Sequence, residues 1–219
     1  SDFYVNISPP SVALLTLIVL LGSCVGQSDI APETPGTKNE TDERLLATPP
    51  KDWVNVFQLN HRNTRLTDFI PPGQSKGDWS TKLSFEAHTT EALSLDPIEL
   101  LFSEAETDRS RCNRVRHHNI FSGLENNYQT SVRLFLCGEN TTTSRGEIKL
   151  IKVIRGNDYL YSVRIVRRTP PFDVNEEEIS KQEVALWSTY LRKISLCDGS
   201  SGHPCPQPGA EAESQGNSS

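Results

Sequence analysis

The stretch Glu147-Ile-Lys-Leu-Ile-Lys-Val-Ile-Arg155, Gly156-Asn157-Asp158, Tyr159-Leu-Tyr-Ser-Val-Arg-Ile-Val-Arg-Arg168 decides the fold. Two runs rich in β-branched and aromatic residues flank a short polar turn, which is the pattern of a β-hairpin. Side chains alternate along a strand. In the second run Tyr159, Tyr161, Val163 and Ile165 therefore share one face, and Ser162, Arg164 and Arg168 share the other. That predicts an antiparallel sheet with one face on the core and one in solvent.

Working outward, residues 128–137 alternate through Thr130, Val132, Leu134 and Leu136 and read as a strand. Residues 117–122 read as its neighbour, across a turn at Glu125-Asn126-Asn127, and 138–145 read as a polar loop. Farther back, 53–59 and 65–70 read as strands, Pro71-Pro72-Gly73 breaks the chain, and Trp79 leads into a strand over 80–88. Asp96-Pro97-Ile98-Glu99 starts a helix. Asp96 can cap, Pro97 fits the first helical position, and Glu99 can bond back to the cap. Ile98, Leu101, Phe102 and Ala105 would form its inward face, and it would end near Asp108. After Pro170-Pro171, Asn175 would cap a second helix with Glu176, Glu177 and Glu178 in its first turn and Arg192 and Lys193 near its end, both suiting the helix dipole. Its inward stripe would hold Ile179, Glu183, Leu186, Trp187, Tyr190, Leu191 and Ile194. The fold class is α+β: an antiparallel sheet of about five to seven strands packed with two helices. The element order matches a PsbP/Mog1-like sandwich, an analogy of architecture that carries no function.

The N-terminal region carries an address. Val12-Ala-Leu-Leu-Thr-Leu-Ile-Val-Leu-Leu21 has the length of a signal-peptide core and is too short to span a bilayer comfortably. It ends in Leu21-Gly22-Ser23-Cys24, which resembles the lipobox of bacterial lipoproteins. The resemblance implies that 1–23 is a removed signal peptide, that Cys24 is lipidated, and that the protein is held to a membrane by its acyl chains. Val25 after the cysteine favours the outer membrane and a domain facing the periplasm of the bacterial cell envelope. The segment before the apolar core departs from the pattern, having no Lys or Arg and carrying Asp2. The alternative is ordinary cleavage near Cys24 or Gly26 and a secreted protein. Residues 24–50 then read as a flexible linker with a reach of about 25–30 Å. Residues 51–206 read as the globular domain and 207–219 as a disordered tail.

Setting Cys24 aside leaves Cys112, Cys137, Cys197 and Cys205. An even remainder in an exported chain favours disulfides. Of three possible pairings the preferred one is Cys112–Cys137, tying a helix end to a strand, with Cys197–Cys205 closing a short loop. Free buried thiols are the alternative. The spacing contains no paired CxxC motif, so it does not call for zinc.

The net charge of −6 argues against nucleic acid as a partner. His117 and His118 are adjacent, so on a strand they point to opposite faces and do not share one metal easily. His61, His88 and His203 are scattered, and there is no HExxH, GxSxG, Walker or GxGxxG motif. Cys137, in Leu134-Phe-Leu-Cys-Gly, would be a nucleophile only if unpaired. Arg109, Arg111, Arg114 and Arg116 form one basic stretch, and Arg164, Arg167 and Arg168 a second. Each reads first as a solvated face and second as a contact for an anionic envelope component. Trp53, Trp79, Tyr159, Tyr161, Trp187 and Tyr190 are spaced like core residues. The sequons at Asn39, Asn140 and Asn217 would matter only in a eukaryotic secreted protein.

Three segments carry a second resemblance: Pro71-Pro-Gly-Gln-Ser-Lys-Gly-Asp-Trp79, Val153-Ile-Arg-Gly-Asn-Asp-Tyr-Leu-Tyr-Ser-Val163, and Trp187-Ser-Thr-Tyr-Leu-Arg-Lys-Ile-Ser-Leu-Cys-Asp198 followed by His203-Pro-Cys-Pro206. In this order they resemble a family of uncharacterised exported proteins of Gram-negative bacteria. The resemblance implies a periplasm-facing domain and brings no catalytic or cofactor residues. The expectation is a lipid-anchored envelope protein that binds a partner protein or envelope component. The alternative is a secreted hydrolase or thiol enzyme.

Overall fold

Lys149 and Lys152 lie three apart on β7 (Arg145–Arg155), so alternation sends them to opposite faces of the sheet. Each grips a helix. Lys149 pairs with Asp108 of α1 (Pro97–Arg111), and Lys152 reaches the C-terminal end of α2 (Lys181–Arg192). The chain therefore folds in three layers, with one helix on each face of the sheet. The computed structural model describes residues 43–176 and 181–206.

The sheet is antiparallel and seven-stranded. Its remaining members are β2 (Val54–His61), β3 (Thr64–Ile70), β4 (Thr81–Thr89), β5 (Val115–Glu125), β6 (Tyr128–Asn140) and β8 (Tyr159–Thr169). The spatial order is β2-β3-β4-β8-β7-β6-β5, which leaves β2 and β5 as edges. The hairpin read from the sequence pairs β7 with β8 in continuous register, Val153 opposite Ser162 and Ile148 opposite Arg167. At the β5–β6 turn Asn126 and Asn127 both have positive φ, 48° and 63°, as a tight hairpin requires. The polar loop expected over 138–145 is shorter, because β6 continues to Asn140 and β7 begins at Arg145.

The face toward α2 is apolar. Val132, Leu134, Leu136, Ile148, Leu150, Val163 and Ile165 pack on Trp187, Leu191 and Ile194. The opposite face meets α1, where Phe135, Ile151, Val153 and Leu160 pack on Leu101 and Ala105. The solvated face expected from Ser162, Arg164 and Arg168 is therefore corrected. Ser162 is buried, and Arg164 pairs with Glu104 of α1 at 2.6 Å and with Glu86 of β4 at 3.3 Å. Arg164 on that face thus meets carboxylates instead of water, and its Nε donates to Ser162 Oγ at 3.2 Å.

The capping box of α1 is complete. Glu99 N–H donates to Asp96 Oδ1 and Asp96 N–H donates to Glu99 Oε2, both at 2.8 Å. Its inward face is narrower than expected: Leu101 and Ala105 are buried, but Ile98 and Phe102 are exposed. On α2, Trp187, Leu191 and Ile194 point inward and Glu183 reaches Arg167 of the sheet. Leu186, expected in the same stripe, is 68% exposed, because one apolar row already fills the contact with the sheet. Asn175 sits in a turn, its N–H donating to Asp173 Oδ1 at 3.0 Å. The rest of the expected helix start, including Ile179, falls in 177–180, outside the described residues.

The boundary at 51 is also corrected. β1 (Arg44–Leu46) pairs antiparallel with β9 (Ser195–Cys197), and Leu45 packs on Tyr161 and Leu196. Glu43 accepts the Asn157 N–H at 2.6 Å and so closes the β7–β8 turn, and Tyr190 donates to the Thr48 carbonyl at 2.7 Å. One packed leucine, a short strand pairing and a capping carboxylate tie the last residues of the expected linker into the domain. Gly156 leaves room for this contact, since a Cβ there would push the Glu43 carboxylate away.

Candidate functional site

The four cysteines close as the preferred pairing has it. Cys112, which ends α1, bonds Cys137 of β6, and Cys197 of β9 bonds Cys205. The loop closed by the second bond folds over the β5–β6 turn. Asn126 Nδ2 donates to the carbonyls of Leu196 at 2.8 Å and Pro204 at 3.1 Å, Asn127 Nδ2 donates to Gly202 O at 2.6 Å, and the His203 ring stacks on Tyr128 with centroids 4.0 Å apart. Asp198 accepts from Ser200 and from the Tyr128 hydroxyl, and these bonds hold its carboxyl below the usual range. With all four thiols in disulfides, Cys137 is not available as a nucleophile.

A groove of about 330 Å³ runs between β5 and α2, lined chiefly by Ile120, Phe121, Val132, Ser188 and Leu191, with Lys152 at its base. Lys152 is 1% exposed. Its ammonium donates to the carbonyls of Leu191 at 2.9 Å and Ile194 at 2.7 Å and pairs with Glu125. An ammonium has three donors, and all three are taken. Burial lowers the Lys152 pKa, while the Glu125 carboxylate opposes the shift. Lys152 is thus the cap of α2, satisfying carbonyls that a helix end leaves open. The groove itself is apolar and flanks the free edge of β5, where Ile120 and Leu124 are exposed. Such a site can take an apolar side chain from a segment lying along the edge strand.

The other sequence candidates are dispersed. His117 stands beside Phe135, with centroids 5.4 Å apart, on the α1 face, and burial lowers its pKa against the pull of Asp108. His118 is paired across the ladder with Leu134, which faces α2. Alternation thus separates the two rings. Neither lines the groove, nor the cavity formed by Asn113, Arg114, Gly138, Pro171 and Asp173. Among the described residues no group of His, Cys, Asp and Glu is placed to hold a metal ion. The arginine runs are largely consumed by the fold. Arg109 pairs with Glu106, Arg114 with Asp173 at 2.8 Å, Arg164 with Glu86 and Glu104, and Arg167 with Glu183. Trp79, Tyr161 and Trp187 are core residues. Cys24, Asn39 and Asn217 lie outside the described residues. Asn140 accepts the Thr142 N–H at 3.0 Å.

Sequence reasoning missed one polar chain. Thr64 Oγ1 lies 3.1 Å from His88 Nδ1, and His88 Nε2 lies 2.8 Å from Glu86, which in turn meets Arg164. The three residues come together because Thr64 pairs with His88 across the β3–β4 ladder and Glu86 is two residues back on the same face. The hairpin register was the signal that would have found it.

No family profile matches the sequence, and no curated protein matches it. Among solved structures, the chain is similar to the Saccharomyces cerevisiae Ran-binding protein Mog1p, at 12% identity and a TM-score of 0.36, covering 68% of this chain and 82% of that one. It is likewise similar to a mutant form of protein Mog1, at 10% identity and a TM-score of 0.35, covering 68% of this chain and 84% of that one.

Proposed function

We propose that this chain is a lipid-anchored protein of the bacterial cell envelope, attached through Cys24 and facing the periplasm, whose domain binds a partner protein. The apolar groove beside the β5 edge is the observation that carries the binding role. The two disulfides support an oxidising compartment. The lipobox-like Leu21-Gly22-Ser23-Cys24 and the resemblance to exported proteins of Gram-negative bacteria support the anchor and the address.

The experiment places a photo-crosslinking residue at Ile120, in the groove, and separately at Leu59, on the opposite edge strand β2, and illuminates whole cells. Capture of the same envelope protein from Ile120 and not from Leu59 is expected. Equal capture from both edges overturns the binding role. In the same cells Cys24→Ala is expected to abolish lipid labelling and release the protein from membranes. Retention of the variant on the membrane, with no label on the wild type, overturns the anchor.

A further inference from the structure

Two arginines, Arg145 and Arg168, line one cavity, and among the described residues neither is hydrogen-bonded to a carboxylate. Thr143 Oγ1, in the turn between β6 and β7, is sealed from solvent and unbonded, and so is Arg168 Nε near the end of β8. The carboxylate facing Arg168 Nε, that of Glu147, is 4.0 Å away, beyond hydrogen-bond reach. Both residues line a cavity of about 380 Å³ whose other walls include Arg145, Trp79, Ser80 and Asp78. Both atoms lie behind the cavity wall, whereas the Arg168 side chain as a whole keeps 24% of its surface exposed.

The walls are held in place before any ligand arrives. The Arg168 guanidinium carbon lies 3.7 Å from the Trp79 ring centroid, a cation–π contact that fixes the group at the cavity. The approach loop is stitched to itself. Ser80 N–H donates to Gln74 Oε1 at 2.7 Å, Gln74 Nε2 donates to Ser80 Oγ at 2.9 Å, and Ser75 and Asp78 exchange backbone bonds at 3.1 Å. The Arg168 backbone N–H then ties Ser80 to the sheet at 2.8 Å. Arg145 is exposed and has no ion pair among the described residues, unlike Arg164 and Arg167, which the helices occupy.

Two guanidinium-bearing side chains lining one cavity supply the donors of an oxyanion site. Asp78 adds an acceptor at the rim, which repels a bare anion and suits a ligand that carries hydroxyls beside its charge. The volume lies at the small end of ligand pockets. We infer that this cavity binds the carboxylate or phosphoryl group of a small hydroxylated molecule of the size of a single sugar acid or sugar phosphate. The inference is independent of the groove at β5 and of the anchor.

Calorimetric titration of the full chain with glucuronate, glucose 6-phosphate and glucose tests it. Saturable binding of at least one of the two anions tighter than about 1 mM is expected, with glucose at least about tenfold weaker. Glucuronate alone would assign the carboxylate class, glucose 6-phosphate alone the phosphoryl class, and both a general oxyanion site. Arg145→Gln, at an exposed position, is expected to leave the melting temperature unchanged and weaken the anion by about tenfold or more; Thr143→Ala, which removes a sealed hydroxyl, is expected to leave binding within about twofold. Absence of saturable binding by either anion overturns the inference, as does binding that Arg145→Gln leaves unchanged.

Discussion

Lys152 Nζ lies 2.7 Å from the carbonyl oxygen of Ile194, so a cation in the middle of the sheet closes the end of the helix that covers it. Its ladder neighbours are Val132 and Val163, both apolar. Replacement by Met would fill the space but leave the Ile194 carbonyl and the Glu125 carboxylate without this partner, and the Leu191 carbonyl with the Ile194 N–H alone at 3.2 Å. Lys152→Met is expected to destabilise the domain by about 3 kcal/mol, and adding Glu125→Gln should return part of the loss by removing the stranded charge. Urea unfolding midpoints of the two variants provide the comparison.

The disulfides should differ in weight. Cys112 and Cys137 are 25 residues apart and Cys197 and Cys205 are 8 apart. Chain-entropy arguments then assign about 3.5 kcal/mol to the first and about 2.5 kcal/mol to the second. Paired Cys→Ser variants measured by urea unfolding should keep that order. Thiol titration of the wild-type protein, unfolded without reductant, should find none of these four reactive.

The two faces of α1 make a sharp contrast between adjacent residues. Leu101 is fully buried against Phe135 and Ile151, whereas Phe102 is 56% exposed under the guanidinium of Arg133. Leu101→Ala should cost about 3 kcal/mol, and Phe102→Ala about 0.5 kcal/mol or less. Thermal melts of both variants distinguish this arrangement from one in which the two side chains share the core.

Acid should weaken the fold through His117. Burial holds its pKa below the ordinary value of about 6.5, so the folded state binds fewer protons than the unfolded chain in the interval between the two values. Stability is therefore lost as pH falls through about 6.5 toward the folded value. Asp173 and Asp198, whose carboxyls are held down by hydrogen bonds, contribute stability that disappears in a separate, more acidic window. His117→Gln should flatten the upper part of the acid limb and leave the lower part intact. Unfolding midpoints across that pH range show whether it does.

Much of the scaffold was legible because it depends on local rules. The hairpin over 147–168, the capping box at Asp96 and Glu99, and the opposition of His117 and His118 follow from alternation, turn chemistry and helix-end hydrogen bonding. The cysteine pairing followed from an even count and plausible loops. The site was less legible. Thr143 and Arg168 are 25 positions apart, and only the closing of β7 against β8 brings both to the loop that carries Trp79. One signal was available: Lys149 and Lys152 lie on opposite faces of a strand that is apolar on both, which implies a cover on each side.

The sequence by itself determined the α+β class, the strand alternation and the start of α1, because each depends on residues within a few positions of one another. Tertiary structure decided what the polar residues meet. An arginine on a strand reads the same whether it faces water or a helix carboxylate, and only the position of Glu104 shows that Arg164 is covered. It likewise made Lys152 a helix cap, drew Glu43 and Leu45 out of an apparent linker, and set Arg145, which has no ion pair among the described residues, at the cavity that Arg168 also lines. Those outcomes depend on distances between residues far apart in the chain, which local sequence pattern does not encode.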